Sequence, residues 1–126
     1  MLKMVPVSNR EQICSCADSF GFELPEDEEV LLYIADQRGE CLGCCFYRMV
    51  PDGMEILFAD AKGDDALFDG LIRACMAGLM DCENDTVYFS PEMDRPLLEK
   101  WRFVQNDSLC IKSANAFFQT CKNCKN

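Results

Sequence analysis

The sequence predicts a single α+β domain with a mixed, mostly antiparallel sheet flanked by helices. Three strand-like segments in the middle of the chain are separated by short turns, which is typical of an antiparallel meander. A long amphipathic helix pattern follows the meander, and shorter strand and helix patterns come after it. The chain has 126 residues, of which 49% are hydrophobic, so it is long enough to bury one core, and we expect residues 1–126 to form one domain.

Four strands and one helix are predicted in the N-terminal half. The first strand is LKMVPV, and the helix is NREQICSCADSFGF, with Asn9 or Ser8 as its N-cap. After the acidic loop ELPEDEE come the meander strands EVLLYIAD, CLGCCFYRMV and MEILFADA, joined by turns at QRGE and PDG. In the second meander strand, Leu42, Cys44 and Phe46 are alternate residues, so we expect their side chains to point to the same face of the sheet.

The C-terminal half is predicted to contain two helices and three further strands. Apolar residues recur at spacings of three and four over residues 66–82, which indicates a long helix. A strand is predicted in DTVYFS, and a short helix in DRPLLEKWRF with Pro96 in its first turn. A last strand pair is predicted in FVQND and SLCIKS around an Asn-Asp turn, followed by ANAFFQTCKNCKN, whose residues 119–126 form a Cys/Lys tail.

The charge and composition exclude several classes of function. A net charge of −10 disfavours binding to nucleic acid or to an anionic membrane, because both need a basic surface. The absence of histidine removes the commonest general base at neutral pH and the Ser-His and Cys-His nucleophile pairs. The chain contains neither an apolar run of membrane-spanning length nor a signal-peptide pattern, so we expect a cytoplasmic protein.

The order of predicted elements resembles the GNAT-type N-acetyltransferase fold over nearly the whole chain. Three local features carry the resemblance: the strand segment at residues 54–56, the junction between that strand and the long helix, and LLEKWRF, which is similar to the family's LYxKxGF segment. The resemblance implies acetyl transfer from acetyl-CoA to an amine acceptor, either a small molecule or a peptide, without a metal. The oligomeric state is left open.

The junction AKGDDALFDG, residues 61–70, is where the resemblance implies cofactor binding. In the family, backbone N–H groups of this loop, at the positive end of the helix, bind the pyrophosphate of acetyl-CoA. Here the loop is acidic, and Asp64 or Asp65 also suits the helix N-cap, where the side chain would occupy N–H groups that a phosphate needs. The sequence favours the cap over a ligand loop. The positions assigned to the cofactor by resemblance are Ala59, Ala61, Gly63, Asp64, Asp65, Ala66 and Leu67.

Two residues are the candidates for acid and base catalysis. Glu55 lies where the family often draws its base, although its apolar neighbours also allow it simply to face solvent. The family's tyrosine, a frequent acid toward the departing thiolate, falls on Leu98, so Tyr88 in the adjacent strand is the substitute candidate, unless it is a core aromatic. The family's common asparagine falls on Pro91, and its glycine before the last Phe falls on Arg102.

The ten cysteines lie mostly in apolar stretches, which favours reduced thiols that fill the core. Two CxxC pairs stand out, at Cys41 and Cys44 and at Cys121 and Cys124. Residues three apart on a continuous strand point to opposite faces, so we expect the first pair to be unable to share a ligand. The tail pair lies beside two lysines, which would make it the more reactive pair. We expect metal-free thiols throughout.

Two other functions remain open on the sequence. The acidic loop and the departures at Leu98 and Pro91 suggest a noncatalytic GNAT-like binding or interaction module. The CKNC tail suggests a thiol or metal protein.

Overall fold

The fold is described from a computed structural model that covers residues 2–26, 29–105 and 108–123, with side chains as far as residue 119. The described residues form six strands, four α-helices and a 3₁₀ turn at Ala77–Leu79. In chain order they are β1 (Leu2–Val7), α1 (Arg10–Phe20), β2 (Leu31–Gln37), β3 (Glu40–Val50), β4 (Gly53–Asp60), α2 (Asp65–Met76), β5 (Thr86–Phe89), α3 (Arg95–Lys100), β6 (Cys110–Ile111) and α4 (Ala114–Asn123). None of the described helices is long and apolar enough to cross a membrane.

The strands form one sheet in the order β1-β2-β3-β4-β5-β6. All neighbouring strands are antiparallel except β4 and β5, which are parallel, so the predicted mixed sheet is confirmed. The PDG turn between β3 and β4 depends on Gly53, whose φ is 154° and whose missing Cβ would lie 1.8 Å from the Thr86 carbonyl oxygen. Only glycine allows this turn to lie against β5.

Each face of the sheet carries one core. Helix α2 packs on the first face, and the apolar side chains of its predicted stripe are buried there, as expected. Helix α1 packs on the second face against a smaller core made of Ile13, Ala17, Val30, Leu32, Cys44 and Phe46. Its N-cap is Asn9, whose side chain accepts a hydrogen bond from the Gln12 N–H at 3.1 Å. Of the two predicted N-cap residues, Asn9 and Ser8, the structure therefore selects Asn9.

Strand β3 contains a bulge that overturns two sequence expectations. Its pairing with β2 shifts from Ala35 opposite Gly43 to Asp36 opposite Cys41, so Leu42 is an extra residue. Leu42 packs toward the α2 face, whereas Cys44 lies in the α1 core, so the expected alternation through Leu42 is wrong. The bulge also reverses the side on which Cys41 lies. The Cys41 and Cys44 thiols both lie close enough to Cys16 in α1 to shift its pKa, so these two thiols share a face, contrary to the sequence expectation.

Two predicted boundaries in the C-terminal half are also wrong. Helix α2 ends at Met76 and continues only as the 3₁₀ turn, which leaves Cys82 exposed rather than on a helical stripe. Of the predicted final strand pair, residues 103–105 form no strand, although Phe103 and Val104 are both buried. The surviving strand is the two-residue β6, which pairs with β5. The proposed Asn-Asp turn, at residues 106–107, lies outside the described residues.

The segment predicted as an unclassified tail forms helix α4. The Ser113 hydroxyl accepts a hydrogen bond from the Ala116 N–H at 3.1 Å and donates one to the Asp85 carboxylate at 2.7 Å. The same carboxylate accepts the Asn115 N–H at 3.0 Å, which fixes the start of the helix. Phe117 and Phe118 pack against the larger core and so anchor the helix to the domain. The side chains of the CKNC pair lie outside the described residues.

Candidate active site

A gap in the sheet opens between β4 and β5. The two strands are paired over four residues each, from Gly53 to Ile56 in β4, and the Ser90 N–H then donates to the Ile56 carbonyl oxygen at 2.9 Å. Beyond this point β4 continues to Asp60, where the described strands pair with it on the β3 side alone. The backbone of residues 57–60 therefore presents an extended edge to the gap, and such an edge can hydrogen-bond an extended ligand as another strand would.

The loop at the end of β4 is held in a tight left-handed conformation. Lys62 and Gly63 have φ values of 53° and 89°. The Asp60 carboxylate accepts the Lys62 N–H at 2.8 Å, and the Lys62 ammonium donates to the Cys41 carbonyl oxygen at 3.3 Å. The same ammonium lies 5.5 Å from the centre of the Phe20 ring. The lysine of the loop thus ties it to β3 and α1.

The two neighbouring carboxylates at the start of α2, Asp64 and Asp65, have different structural roles. The Asp64 side chain accepts a hydrogen bond from the Leu67 N–H at 3.0 Å, so the predicted helix cap is confirmed for Asp64. Asp65 does not cap the helix, because its carboxylate accepts a hydrogen bond from the Lys100 ammonium at 2.7 Å and so links α2 to α3. One N–H group that a phosphate would use is therefore occupied by the protein's own carboxylate.

The remaining positions assigned to the cofactor offer mainly backbone. The side chains of Ala61 and Leu67 are only 6% and 7% exposed and belong to the larger core. Ala59 lies in β4 opposite Cys45, whereas Gly63 and Ala66 are exposed. The described structure thus places these residues along the end of β4 and the first turn of α2. A cofactor role for them stays a prediction.

The two candidate catalytic residues lie side by side. Glu55 and Tyr88 are register partners across the parallel β4–β5 pair. Both point away from α2, because their neighbours Met54 and Ile56 are buried in the core beneath that helix. Together with Val50, Asp52, Phe89, Leu109 and Cys110 they line a shallow cavity of 430 Å³. Phe89 is the last paired residue of β5, so this cavity borders the gap between the strands.

Two partners that the sequence reading missed hold these side chains. The Arg48 guanidinium contacts Glu55 Oε1 through Nε at 2.7 Å and through a terminal nitrogen at 2.5 Å. The Tyr88 hydroxyl donates a hydrogen bond to the Asp52 carboxylate, and this bond is the main cause that raises the pKa of Tyr88. Tyr88 therefore keeps its proton at neutral pH. The short turn at residues 51–52 already implied that Arg48 would lie opposite Glu55. Strand pairing that starts from Val50 and Gly53 on either side of the turn brings these two residues into register.

The structure explains two of the three positions at which the sequence departs from the family pattern. Leu98, where the family has tyrosine, fills the core with an apolar side chain that has no proton to donate. Arg102, where the family has glycine, has a φ of 65°, so the left-handed conformation that glycine favours is retained. Tyr88 remains the candidate acid on the described surface of the cavity.

The described thiols form contacts with one another but no metal centre. Among the residues described, no group of three or more Cys, Asp or Glu side chains is arranged to hold a metal ion. Hydrogen bonds from Cys44 and Cys41 lower the pKa of Cys16, with the bond from Cys44 the larger cause. Donation to Cys16, together with burial, raises the pKa of Cys44.

The chain has the fold of the GNAT-type acyltransferases, as the order of its elements predicted. A candidate acetyltransferase from Exiguobacterium sp. 255-15 superposes with a TM-score of 0.63 and 12% identity, over 95% of this chain and 98% of that one. The candidate N-acetyltransferase YhhK from E. coli, whose solution structure is bound to coenzyme A, gives a TM-score of 0.63 and 8% identity, over 90% and 98%. No family model and no curated protein matches the sequence. At these identities the likeness shows the fold alone.

Proposed function

We propose that the protein transfers an acetyl or related acyl group from acetyl-CoA to an amine acceptor. The observation that carries this proposal is the gap between β4 and β5, which ends at the start of α2 and borders the cavity containing Glu55 and Tyr88. A structural neighbour with the same fold is bound to coenzyme A, which supports the choice of donor.

The donor would use the backbone of two segments. The exposed edge of β4 at residues 57–60 can hydrogen-bond the amide-containing arm of acetyl-CoA. The N–H groups at the start of α2 face the position where its pyrophosphate would lie, and the helix dipole favours negative charge there. Because the Asp64 carboxylate already accepts the Leu67 N–H, the donor has to compete with the helix cap. Binding should therefore be weak for this fold.

The reaction requires one base and one acid. In the proposed step, the acceptor nitrogen reacts as the neutral amine, after its ammonium form has lost one proton to water, and Glu55 takes a second proton from the nitrogen as it attacks the thioester carbonyl carbon. A C–N bond forms and the C–S bond breaks. The Tyr88 O–H turns from Asp52 toward the sulfur, and the departing thiolate takes its proton. Arg48 fixes the orientation of the Glu55 carboxylate, and Asp52 orients Tyr88. Proton exchange with water restores both residues.

The acceptor is proposed to carry a positive charge. The cavity beside the gap is lined by two carboxylates, Asp52 and Glu55, and the whole chain has a net charge of −10. Both features attract a cationic amine, whether on a small molecule or on a peptide. The acidic surface thus favours polyamines and basic peptides over neutral amines.

The first test is binding of the donor, measured as the shift in melting temperature with coenzyme A and acetyl-CoA and confirmed by calorimetry. We expect saturable binding, followed by thiol release when a polyamine or a lysine peptide is added. Glu40→Gln, an exposed charge change at the β2–β3 turn, is the matched control for variants of Glu55. No binding of coenzyme A at millimolar concentration would contradict the proposal.

A noncatalytic binding module is the second candidate function. It is favoured by one specific observation, the Asp64 carboxylate that occupies the Leu67 N–H at the start of α2. Saturable donor binding without thiol release from any amine tested would favour this module over the enzyme.

A further inference from the structure

A second cavity, of 710 Å³, lies between α2, the segment after α3, β6 and α4. Its volume falls within the range of about 300 to 1,000 Å³ that is common for small-molecule sites. With the proposed donor gap it shares only the neighbourhood of Lys100, whose ammonium reaches the first turn of α2. Ligand binding in this cavity would not require acyl transfer.

The cavity is basic in an otherwise acidic chain. Four of the 12 Lys and Arg residues line it, and none of the described lining residues is acidic. Two of these cations have carboxylate partners next to the cavity: Arg73 with Asp69 at 2.7 Å and Lys100 with Asp65 at 2.7 Å. The other two cations, Arg102 and Lys112, are exposed. Bringing like charges together is unfavourable unless an anion offsets the repulsion.

The cavity also presents flat apolar surfaces beside these cations. The Phe103 and Phe117 rings are 5.5 Å apart in an edge-on arrangement, and the Arg73 guanidinium lies 5.6 Å and 5.0 Å from their centres. Trp101 contributes a third ring, with the Lys100 ammonium 5.7 Å from it. A planar apolar group fits such walls, since aromatic rings pack favourably against one another.

Trp101 carries a further indication of an incomplete site. Its indole N–H is buried and has no hydrogen-bond acceptor among the described residues. A buried donor without an acceptor is unfavourable, so an oxygen-bearing ligand that shifts this ring slightly would satisfy it. Trp101 is also the only tryptophan in the sequence, which makes its fluorescence a reporter of this cavity alone.

We propose that this cavity binds a small organic anion, with a planar apolar body against Phe117 and Trp101 and a phosphate or carboxylate between Arg102 and Lys112. The rings supply contact area, and the two exposed cations supply the charge recognition. Phosphate and carboxylate share this chemistry, so two probes distinguish them: phenyl phosphate and benzoate.

The test is a titration of Trp101 fluorescence with phenyl phosphate, checked by the indole N–H signal in the NMR spectrum. We expect saturation below about 10 mM, and binding at least about tenfold weaker for inorganic phosphate and for neutral benzyl alcohol. If benzoate binds more tightly than phenyl phosphate, the anionic group of the ligand is a carboxylate and not a phosphate. No saturation with either anion, or equal affinity for inorganic phosphate, would overturn it.

The matched variants are Arg102→Asn with Lys112→Gln, against Lys3→Gln as the control. Asparagine tolerates the left-handed conformation of residue 102, and Lys3 is an exposed cation on β1, at the opposite edge of the sheet. The double variant should bind phenyl phosphate about tenfold more weakly, while the control binds as the wild type does. Equal affinity in the double variant and the wild type would overturn the proposed recognition. Displacement of phenyl phosphate by coenzyme A would also overturn it, by assigning the cavity to the donor.

Discussion

Helix α2 separates two regions of opposite charge. At its start lie three carboxylates, Asp60, Asp64 and Asp65, each of which is used by the structure to bind a loop N–H, cap a helix or pair with Lys100. Along its flank lies the basic cavity, where two of the cations are exposed. The net charge of the chain is therefore a poor guide to the charge of an individual site. The acidic groups at the helix start are engaged within the fold, whereas Arg102 and Lys112 in the cavity are exposed to an approaching ligand.

The largest expected effect concerns the chemistry next to the acidic region. If the protein transfers an acyl group, Glu55→Gln should lower the rate of thiol release at saturating substrates by about a hundredfold, because a positioned base contributes on that order. Binding of coenzyme A should be little changed, since Glu55 lies outside the proposed donor positions. Glu55→Asp should recover part of the rate. Turnover by Glu55→Gln equal to that of the Glu40→Gln control would remove Glu55 from the mechanism.

The second prediction tests whether the acidic loop opposes the donor. A carboxylate about 5 Å from a phosphate charge is unfavourable by roughly 3 kcal/mol at an effective dielectric constant near 20. Changing both Asp64 and Asp65 to Asn should therefore strengthen coenzyme A binding by about tenfold or more, since solvent screens part of the repulsion. Calorimetry on the folded double variant measures this. Affinity unchanged or weaker would show that the carboxylates are not in conflict with the donor.

A third prediction separates the capping role of Asp64 from its charge. Asp64→Ala removes the acceptor for the Leu67 N–H and should lower the free energy of unfolding by about 1 kcal/mol. Asp64→Asn keeps an acceptor oxygen and should lose much less. Urea denaturation of the two variants provides the measurement. Equal stability of Asp64→Ala and Asp64→Asn would mean that the hydrogen bond contributes nothing measurable.

The same two regions show what the sequence could predict. The meander, the buried stripe of α2 and the cap at its start are local patterns, so apolar periodicity and residue type were enough to find them. The adjacency of Glu55 and Tyr88 follows from two correctly assigned strands. The basic cavity has no such local signal, because Arg73 and Lys112 are brought together only by the packing of α2, β6 and α4.

The bulge in β3 and helix α4 were both missed because each depends on contacts between distant parts of the chain. The bulge at Leu42 leaves an apolar, strand-like sequence intact while it reverses the side on which Cys41 lies. Helix α4 begins where Asp85, some thirty residues earlier, accepts hydrogen bonds from Ser113 and Asn115. Neither pairing register nor a tertiary helix cap is encoded in the spacing of apolar residues, so periodicity alone could not reveal them.

The smallest expected effect tests the element that closes the basic cavity. Hydrogen bonds from the Asn115 N–H, the Ser113 hydroxyl and the Asn115 side chain lower the pKa of Asp85 below its usual 3.8, with the first of these the largest cause. The folded state thus stabilises the ionised form of the Asp85 carboxylate. Its contribution to stability is fully present above pH 3.8 and is lost as the pH falls through the lower pKa of the folded state.

Asp85→Asn should therefore reduce stability at neutral pH and flatten its pH dependence in that acidic window. The carboxylate is partly exposed, so solvent screening keeps the effect small. Urea denaturation of wild type and variant between about pH 2 and pH 6 measures the difference. We expect the two curves to converge as the pH falls. Because Asp85 fixes the start of α4, the variant should also weaken phenyl phosphate binding at neutral pH. A constant difference at every pH would show that the ionised form of Asp85 has no special part in holding α4 against the cavity.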